Sequence, residues 1–125
     1  MLPPVYDVLK ASSAVVALVG DAIWRHSAAP QDGPRPYITW FIVTGLPDNQ
    51  LSGLPSDDQM TVQVDCWAKT DEQAEALATA VRDAIEPYAH MTGQPIDARE
   101  PTTKLWRMAL EFNWIVMRPL PEPTS

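Results

Sequence analysis

The single cysteine of the chain, Cys66, lies between Asp65 and Trp67 in the stretch TVQVDCWAKTDEQAEAL. A thiol beside a carboxylate raises the question of nucleophilic catalysis, in which a nearby base removes the thiol proton. Across residues 59–68, however, apolar and polar side chains alternate with the period of two that is typical of a β-strand. Asp65 and Cys66 then point to opposite faces of that strand. We interpret Cys66 as a small apolar core residue, which is the common environment of a free cysteine.

Other residues that could carry chemistry give weak patterns. Three acids share one loop, with no histidine pair or EF-hand spacing around them (Asp48, Asp57 and Asp58). Carboxylates at Asp97 and Glu100 could form an acid–base pair with Asp65, which leaves a small hydrolase as an alternative. There is no Gly-Lys-Ser/Thr motif for phosphate. From the residues we expect no enzyme, no cofactor and no metal.

The amino-acid composition limits the kinds of partner that this chain is expected to bind. A chain of 125 residues has the size of one domain, and 16 acidic against nine basic residues give a net charge of −7. The basic residues are scattered, which argues against nucleic-acid binding and against an anionic membrane surface. With one cysteine, no signal-peptide pattern and no apolar run of the roughly 20 residues that a membrane span requires, the sequence predicts a soluble domain made in a reducing compartment.

The pattern of elements predicts an α+β fold. Two short helices are expected after Pro3-Pro4 and after the cap Ser12-Ser13, with Gly20 as the stop. Strands are predicted at 22–26, 37–44 and 59–68, and a capping box from Thr70 to Gln73 begins the main helix. Residues 88–104 are expected to be loop-like with an edge strand near 96–100. The last strand, from Trp106 to Val116, is expected inside an antiparallel sheet of four or five strands, with all helices on one face.

The predicted sheet has more apolar surface than one helical layer can cover, because the strand at 37–44 is apolar on both sides. We expect the second face to be a subunit or partner interface, where aromatic anchors and charged residues occur together. Ordinary surface exposure is the alternative. The candidate interface residues are Trp40, Asp65, Trp67, Arg99, Arg107 and Glu111 together with the loop leucines Leu46, Leu51 and Leu54.

Four segments resemble a known family. They are ALVGDAIW, RPYITW, VQVDCWAKTDEQAEALATAVRDAI and DAREPTTKLWRMALEFNW. Together, over about residues 5–118, they are similar to the tail-completion, or tail-terminator, proteins of long-tailed bacteriophages and prophages. This chain departs from that pattern in its Leu-Pro loop at 45–58 and in its proline-rich end.

The resemblance implies a structural role and no catalytic residue. Size and composition predict one domain over residues 1–118 with a flexible proline-rich tail at 119–125. The resemblance implies a ring, commonly a hexamer, at the head-proximal end of the tail tube. The ring would stop polymerisation of the major tail tube protein and would bind the head connector or stopper protein. DNA would pass through without specific binding, and no membrane is involved. The protein would be made in the host cytoplasm and reside in the virion at the head–tail junction. The alternative is a head–tail adaptor or stopper of the neck.

Overall fold

A computed structural model describes residues 3–25, 36–47, 57–101 and 103–117. Its elements in chain order are α1 (Val5–Lys10), α2 (Ser13–Val19), β1 (Ile23–Arg25), β2 (Tyr37–Pro47), β3 (Asp57–Ala68), α3 (Asp71–Ile85), β4 (His90–Arg99) and β5 (Trp106–Met117). This order and the α+β class confirm the prediction. Leu51, Leu54, most of the Leu-Pro loop and the tail at 119–125 lie outside the described residues.

The five strands form one mixed sheet in the order β1-β2-β3-β5-β4. Three of the four pairings are antiparallel, but β1 runs parallel to β2, with Ile23 opposite Ile38 and Trp24 opposite Thr39. The prediction of a purely antiparallel sheet was therefore wrong at this edge. The reason is that β1 has only three residues, and a strand of that length carries no local signal of its direction.

The helices begin and end where their capping residues indicate. The Oγ atom of Ser12 accepts a hydrogen bond from the backbone N–H of Val15 at 3.3 Å, and α2 ends at Gly20, whose φ is +61°. At the start of α3, Oγ1 of Thr70 accepts from the N–H of Gln73 at 3.2 Å. These contacts fix the positions of α2 and α3 from local sequence alone.

The core lies between the three helices and one face of the sheet, which we call the helix face. The core residues of β3 and β5 are those of the alternating apolar sets, Met60, Val62, Val64, Cys66 and Ala68 with Met108, Leu110, Phe112 and Trp114. The helices contribute Val5, Leu9, Val15, Val19, Leu77, Val81 and Ile85. Cys66 is fully buried here, as the alternation predicted. The opposite side of the sheet is called the far face.

β4 is longer than the sequence suggested. The sequence predicts a loop with an edge strand near 96–100, whereas the structure has a strand from His90 to Arg99 along β5. The register between the two strands shifts between Met91 and Gly93 and again between Gly93 and Ile96. Such bulges interrupt the period of two, so the pairing with β5 is not visible in the local pattern.

Candidate assembly interface

A row of stacked side chains crosses the far face of the sheet. Tyr37, Trp67 and Arg107 lie directly opposite one another on β2, β3 and β5. The rings of Tyr37 and Trp67 stack with centroids 5.9 Å apart, and the guanidinium carbon of Arg107 lies 5.0 Å from the centroid of the Trp67 ring. On the other side, Trp24 contacts Tyr37 edge-on at 5.9 Å. We call Trp24, Tyr37, Trp67 and Arg107 the aromatic row.

Polar contacts beside the row hold two of its members in place. Asp65 is only 3% exposed and accepts hydrogen bonds at 2.9 Å from Nη2 of Arg107 and from Nε2 of Gln63. The indole N–H of Trp67 donates to Oγ1 of Thr39 at 3.0 Å. These contacts fix the orientations of the indole and the guanidinium before any partner binds. The row is therefore preorganised, which reduces the entropy lost on association.

The described helices leave the row uncovered. The core residues of α1, α2 and α3 belong to the same core cluster as the helix-face residues of the sheet, with α3 against β3 and β5 and both short helices against α3. The side chains of the row are half-buried, and Ile115, on the same face of β5 as Arg107, is 51% exposed. Within the described residues, the far face thus carries the aromatic row together with polar side chains such as Gln63 and Glu111. Such surfaces are enriched in protein interfaces.

Asp65, Trp67 and Arg107, three of the predicted interface residues, are in direct contact in the structure. Glu111 lies on the same face of β5, opposite Gln63. Its carboxylate accepts a hydrogen bond from Oγ1 of Thr92 at 2.9 Å. The structure thus brings these four residues together on the far face, and their role at an interface stays a prediction.

Three other predicted interface residues lie elsewhere. Trp40 is opposite Val64 on the helix face, is 6% exposed and belongs to the core, with the guanidinium carbon of Arg25 5.6 Å from its ring. Arg99 is exposed at the end of β4, opposite Trp106, and so lies on the helix-face side of the sheet. Leu46 is in β2, where its backbone pairs with that of Gln59.

Sequence reasoning missed Trp24 and Thr39 as members of this site. Thr39 alternates with Tyr37 on β2, so the period of two could have placed it on the far face. Trp24 reaches Tyr37 because β1 pairs parallel to β2, and nothing in the three residues of β1 indicated that pairing.

The proposed acid–base pair does not form. Asp65 lies on the far face, whereas Asp97 lies opposite Met108, which belongs to the helix-face core. The two carboxylates are thus on opposite sides of the sheet. Burial, together with the charge of Asp65, raises the pKa of the Cys66 thiol and so disfavours the thiolate.

The described residues offer neither a metal site nor a membrane-spanning helix. They contain no group of three or more histidine, cysteine, aspartate or glutamate side chains that could hold a metal ion. No helix in those same ranges is both long enough and apolar enough to cross a membrane.

The fold and this surface define a class of protein, a small α+β domain with a stacked aromatic row on the face of its sheet that the described helices leave uncovered. The family model described as tail completion protein gp17 matches residues 3–117, and the chain belongs to this family.

Two solved structures have the same fold. A chain in the virion of a native gene transfer agent particle is 21% identical, with a TM-score of 0.63 over 91% of this chain and 92% of that one. The gp17 protein of bacteriophage SPP1 is 12% identical, with a TM-score of 0.54 over 94% of this chain and 88% of the other. No curated protein sequence matches.

Proposed function

We propose that copies of this chain form a ring at the head-proximal end of the phage tail. The family resemblance implies that this ring is a hexamer. The ring ends polymerisation of the major tail tube protein and presents the surface that joins the head connector. The observation that carries the proposal is the aromatic row, which is rigid, half-exposed and uncovered by the described helices. The role is structural rather than enzymatic.

The chemistry of the row suits contact between proteins. Tryptophan, tyrosine and arginine are the residues that most often dominate binding energy at interfaces. The charge of Arg107 is neutralised by Asp65 within the protomer, so a partner need not supply a counter-ion. The similar chain of the gene transfer agent is part of a virion, which supports an assembled state for this chain as well.

The charge of the chain supports passage of DNA without specific binding. The net charge of −7 and the scattering of the basic residues along the chain disfavour binding to a phosphate backbone. Repulsion between phosphates and carboxylates keeps DNA from adhering as it passes.

Two measurements test the proposal. Sedimentation of the purified chain, alone and with tube protein, is expected to show a species several times heavier than the 13.9 kDa chain. Electron microscopy of polymerising tube protein is expected to show shorter tubes, each closed at one end by the ring, compared with tube protein alone. A chain that stays monomeric in both conditions, with tube lengths unchanged, would rule the proposal out.

A binding experiment separates this role from that of a neck adaptor or stopper. The chain is immobilised and offered tube protein and head connector separately. A terminator is expected to retain the tube protein, and also the connector once the ring has formed. Retention of the connector alone would instead support the adaptor.

A further inference from the structure

We propose that neighbouring copies bind head to tail, with the aromatic row of one copy covering the outer surface of α1 and α2 on the next. This inference rests on the proposed ring and identifies the two surfaces that would build it. It follows from the position, polarity and charge of the described surfaces.

The outer surface of α2 is apolar, whereas α1 carries Asp7 and Lys10. α2 contains no charged residue; Val15 and Val19 face the core, while Ala14, Ala17 and Leu18 are exposed, Leu18 by 37%. On α1, Tyr6 is 40% exposed, and its hydroxyl donates to Oδ1 of Asp21. We call the exposed side chains Tyr6, Ala14, Ala17 and Leu18 the α1–α2 patch. An apolar helix surface of this kind is a common docking surface for another protein.

The α1–α2 patch and the aromatic row lie on opposite layers of the domain. The helices carrying the patch pack against the helix face, and the row lies on the far face. A contact between two different surfaces of the same chain can repeat from copy to copy and close into a ring. A contact of the row with itself would instead give a two-fold dimer and stop there.

Charge selects these two surfaces among those available. Each copy carries a net charge of −7, so contacts between copies favour surfaces without excess negative charge. The exposed side of α3 is unsuitable, since it and the C-cap residue together carry five carboxylates (Asp71, Glu72, Glu75, Asp83 and Glu86) against the single guanidinium of Arg82. In contrast, α2 is uncharged, and the row is neutralised by the pair between Asp65 and Arg107.

Three matched substitutions test the inference at exposed alanines. Ala98→Arg places a bulky side chain at the end of the row, since Ala98 is opposite Arg107 on the far face. Ala17→Arg does the same in the α1–α2 patch, and Ala76→Arg on the exposed side of α3 is the control. Each variant gains the same charge and the same volume. Circular dichroism and thermal melting establish that all three are folded.

Sedimentation is run under the condition in which the wild-type chain assembles. The Ala76→Arg control is expected to assemble as the wild type does, whereas Ala98→Arg and Ala17→Arg each sediment as monomers. An equimolar mixture of the two is expected to form a dimer and nothing larger. The reason is that only the intact row of the Ala17→Arg variant can bind the intact patch of the Ala98→Arg variant, and the two remaining surfaces of that dimer are blocked.

Other outcomes overturn the inference. Dimers of Ala17→Arg on its own would show that the row binds itself, and wild-type assembly by either single variant would show that its surface is not used. Monomers in the mixture would show that the two surfaces do not bind each other. These results leave the ring itself standing, because the wild type still assembles. A wild-type chain that remains monomeric with and without tube protein removes both proposals.

Discussion

Arg107 and Asp65 form an ion pair of 2.9 Å although they do not face each other in the sheet. Asp65 is opposite Ala109, and Arg107 is opposite Trp67, so the guanidinium reaches diagonally between β5 and β3. This diagonal leaves the guanidinium over the ring of Trp67 at 5.0 Å. One arginine thereby satisfies a buried carboxylate and extends the aromatic row.

The first prediction concerns this pair. Arg107→Met is expected to lower the free energy of unfolding by about 3 kcal/mol, because it leaves the charge of Asp65 buried without its partner. The double variant Asp65→Asn with Arg107→Met is expected to recover most of that loss, since no charge then remains buried. Urea denaturation of the wild type, both single variants and the double variant measures the coupling.

A control uses the same chemical change at a site outside the pair. Arg99→Met replaces an exposed arginine of β4 and is expected to change the free energy of unfolding by no more than about 0.5 kcal/mol. If the costs of Asp65→Asn and Arg107→Met simply add in the double variant, the two residues are not coupled and the account of the pair is wrong.

The second prediction is a pH dependence set by Cys66. Burial raises the pKa of its thiol in the folded protein, whereas the unfolded chain ionises near the ordinary value of about 8.5. Above that pH the unfolded state holds fewer protons than the folded state, so the free energy of unfolding falls as pH rises. The contribution is fully present below the unfolded pKa and decreases by about 1.4 kcal/mol per pH unit above it.

The comparison with Cys66→Ala isolates this contribution, because all other titrating groups are shared. The stability advantage of the wild type over Cys66→Ala is expected to be constant from pH 6 to about pH 8 and to shrink between about pH 9 and pH 10. Denaturant titrations at each pH provide the measurement. An advantage that does not change with pH would mean that the thiol ionises equally well in the folded state.

The sequence predicted those parts of the fold that depend on neighbouring residues. The cap at Thr70 and the alternation in β3 and β5 placed α3, both long strands and the core position of Cys66, because each signal is local. The direction of β1 and the length of β4 were not predictable in this way. Both depend on pairing with distant strands, and β4 is further obscured by its two register shifts.

The site was predicted in part for the same reason. Alternation placed Asp65 on the face opposite Cys66, yet its burial beneath Arg107 follows from the register of β3 with β5, 42 residues apart in the chain. Trp24 entered the row through the parallel pairing of β1. Trp40 was placed in the interface for its residue type, although its own alternation with Ile38 assigns it to the helix face.

The third prediction concerns the turn between β4 and β5. Lys104 has a φ of +60°, a conformation that costs a residue with a Cβ atom about 1–2 kcal/mol. The turn is closed by backbone hydrogen bonds of 2.8 Å from the N–H of Lys104 to the carbonyl of Glu100 and from the N–H of Glu100 to the carbonyl of Leu105. Lys104→Gly is expected to raise the free energy of unfolding by roughly 0.5–1 kcal/mol, after the greater entropy of glycine in the unfolded chain is included.

Lys104→Ala removes the same charge but retains the Cβ atom, and it is expected to be close to the wild type. Thermal melting of the two variants therefore separates backbone strain from charge. A glycine variant that melts at or below the temperature of the alanine variant would show that the relief of strain at the positive φ does not exceed the entropy cost of glycine, and the prediction would be wrong.

The fourth prediction compares two threonines of the helix that covers the sheet. Thr70 caps α3 through its hydrogen bond from the N–H of Gln73, so Thr70→Ala is expected to cost about 1 kcal/mol of stability. Thr79 is exposed in the interior of the same helix, where alanine has the higher helix propensity. Thr79→Ala is therefore expected to raise stability by a few tenths of a kcal/mol, the opposite sign for the same chemical change. Urea denaturation measures both, and a loss of stability of similar size at the two positions would show that the cap at Thr70 does not determine where α3 begins.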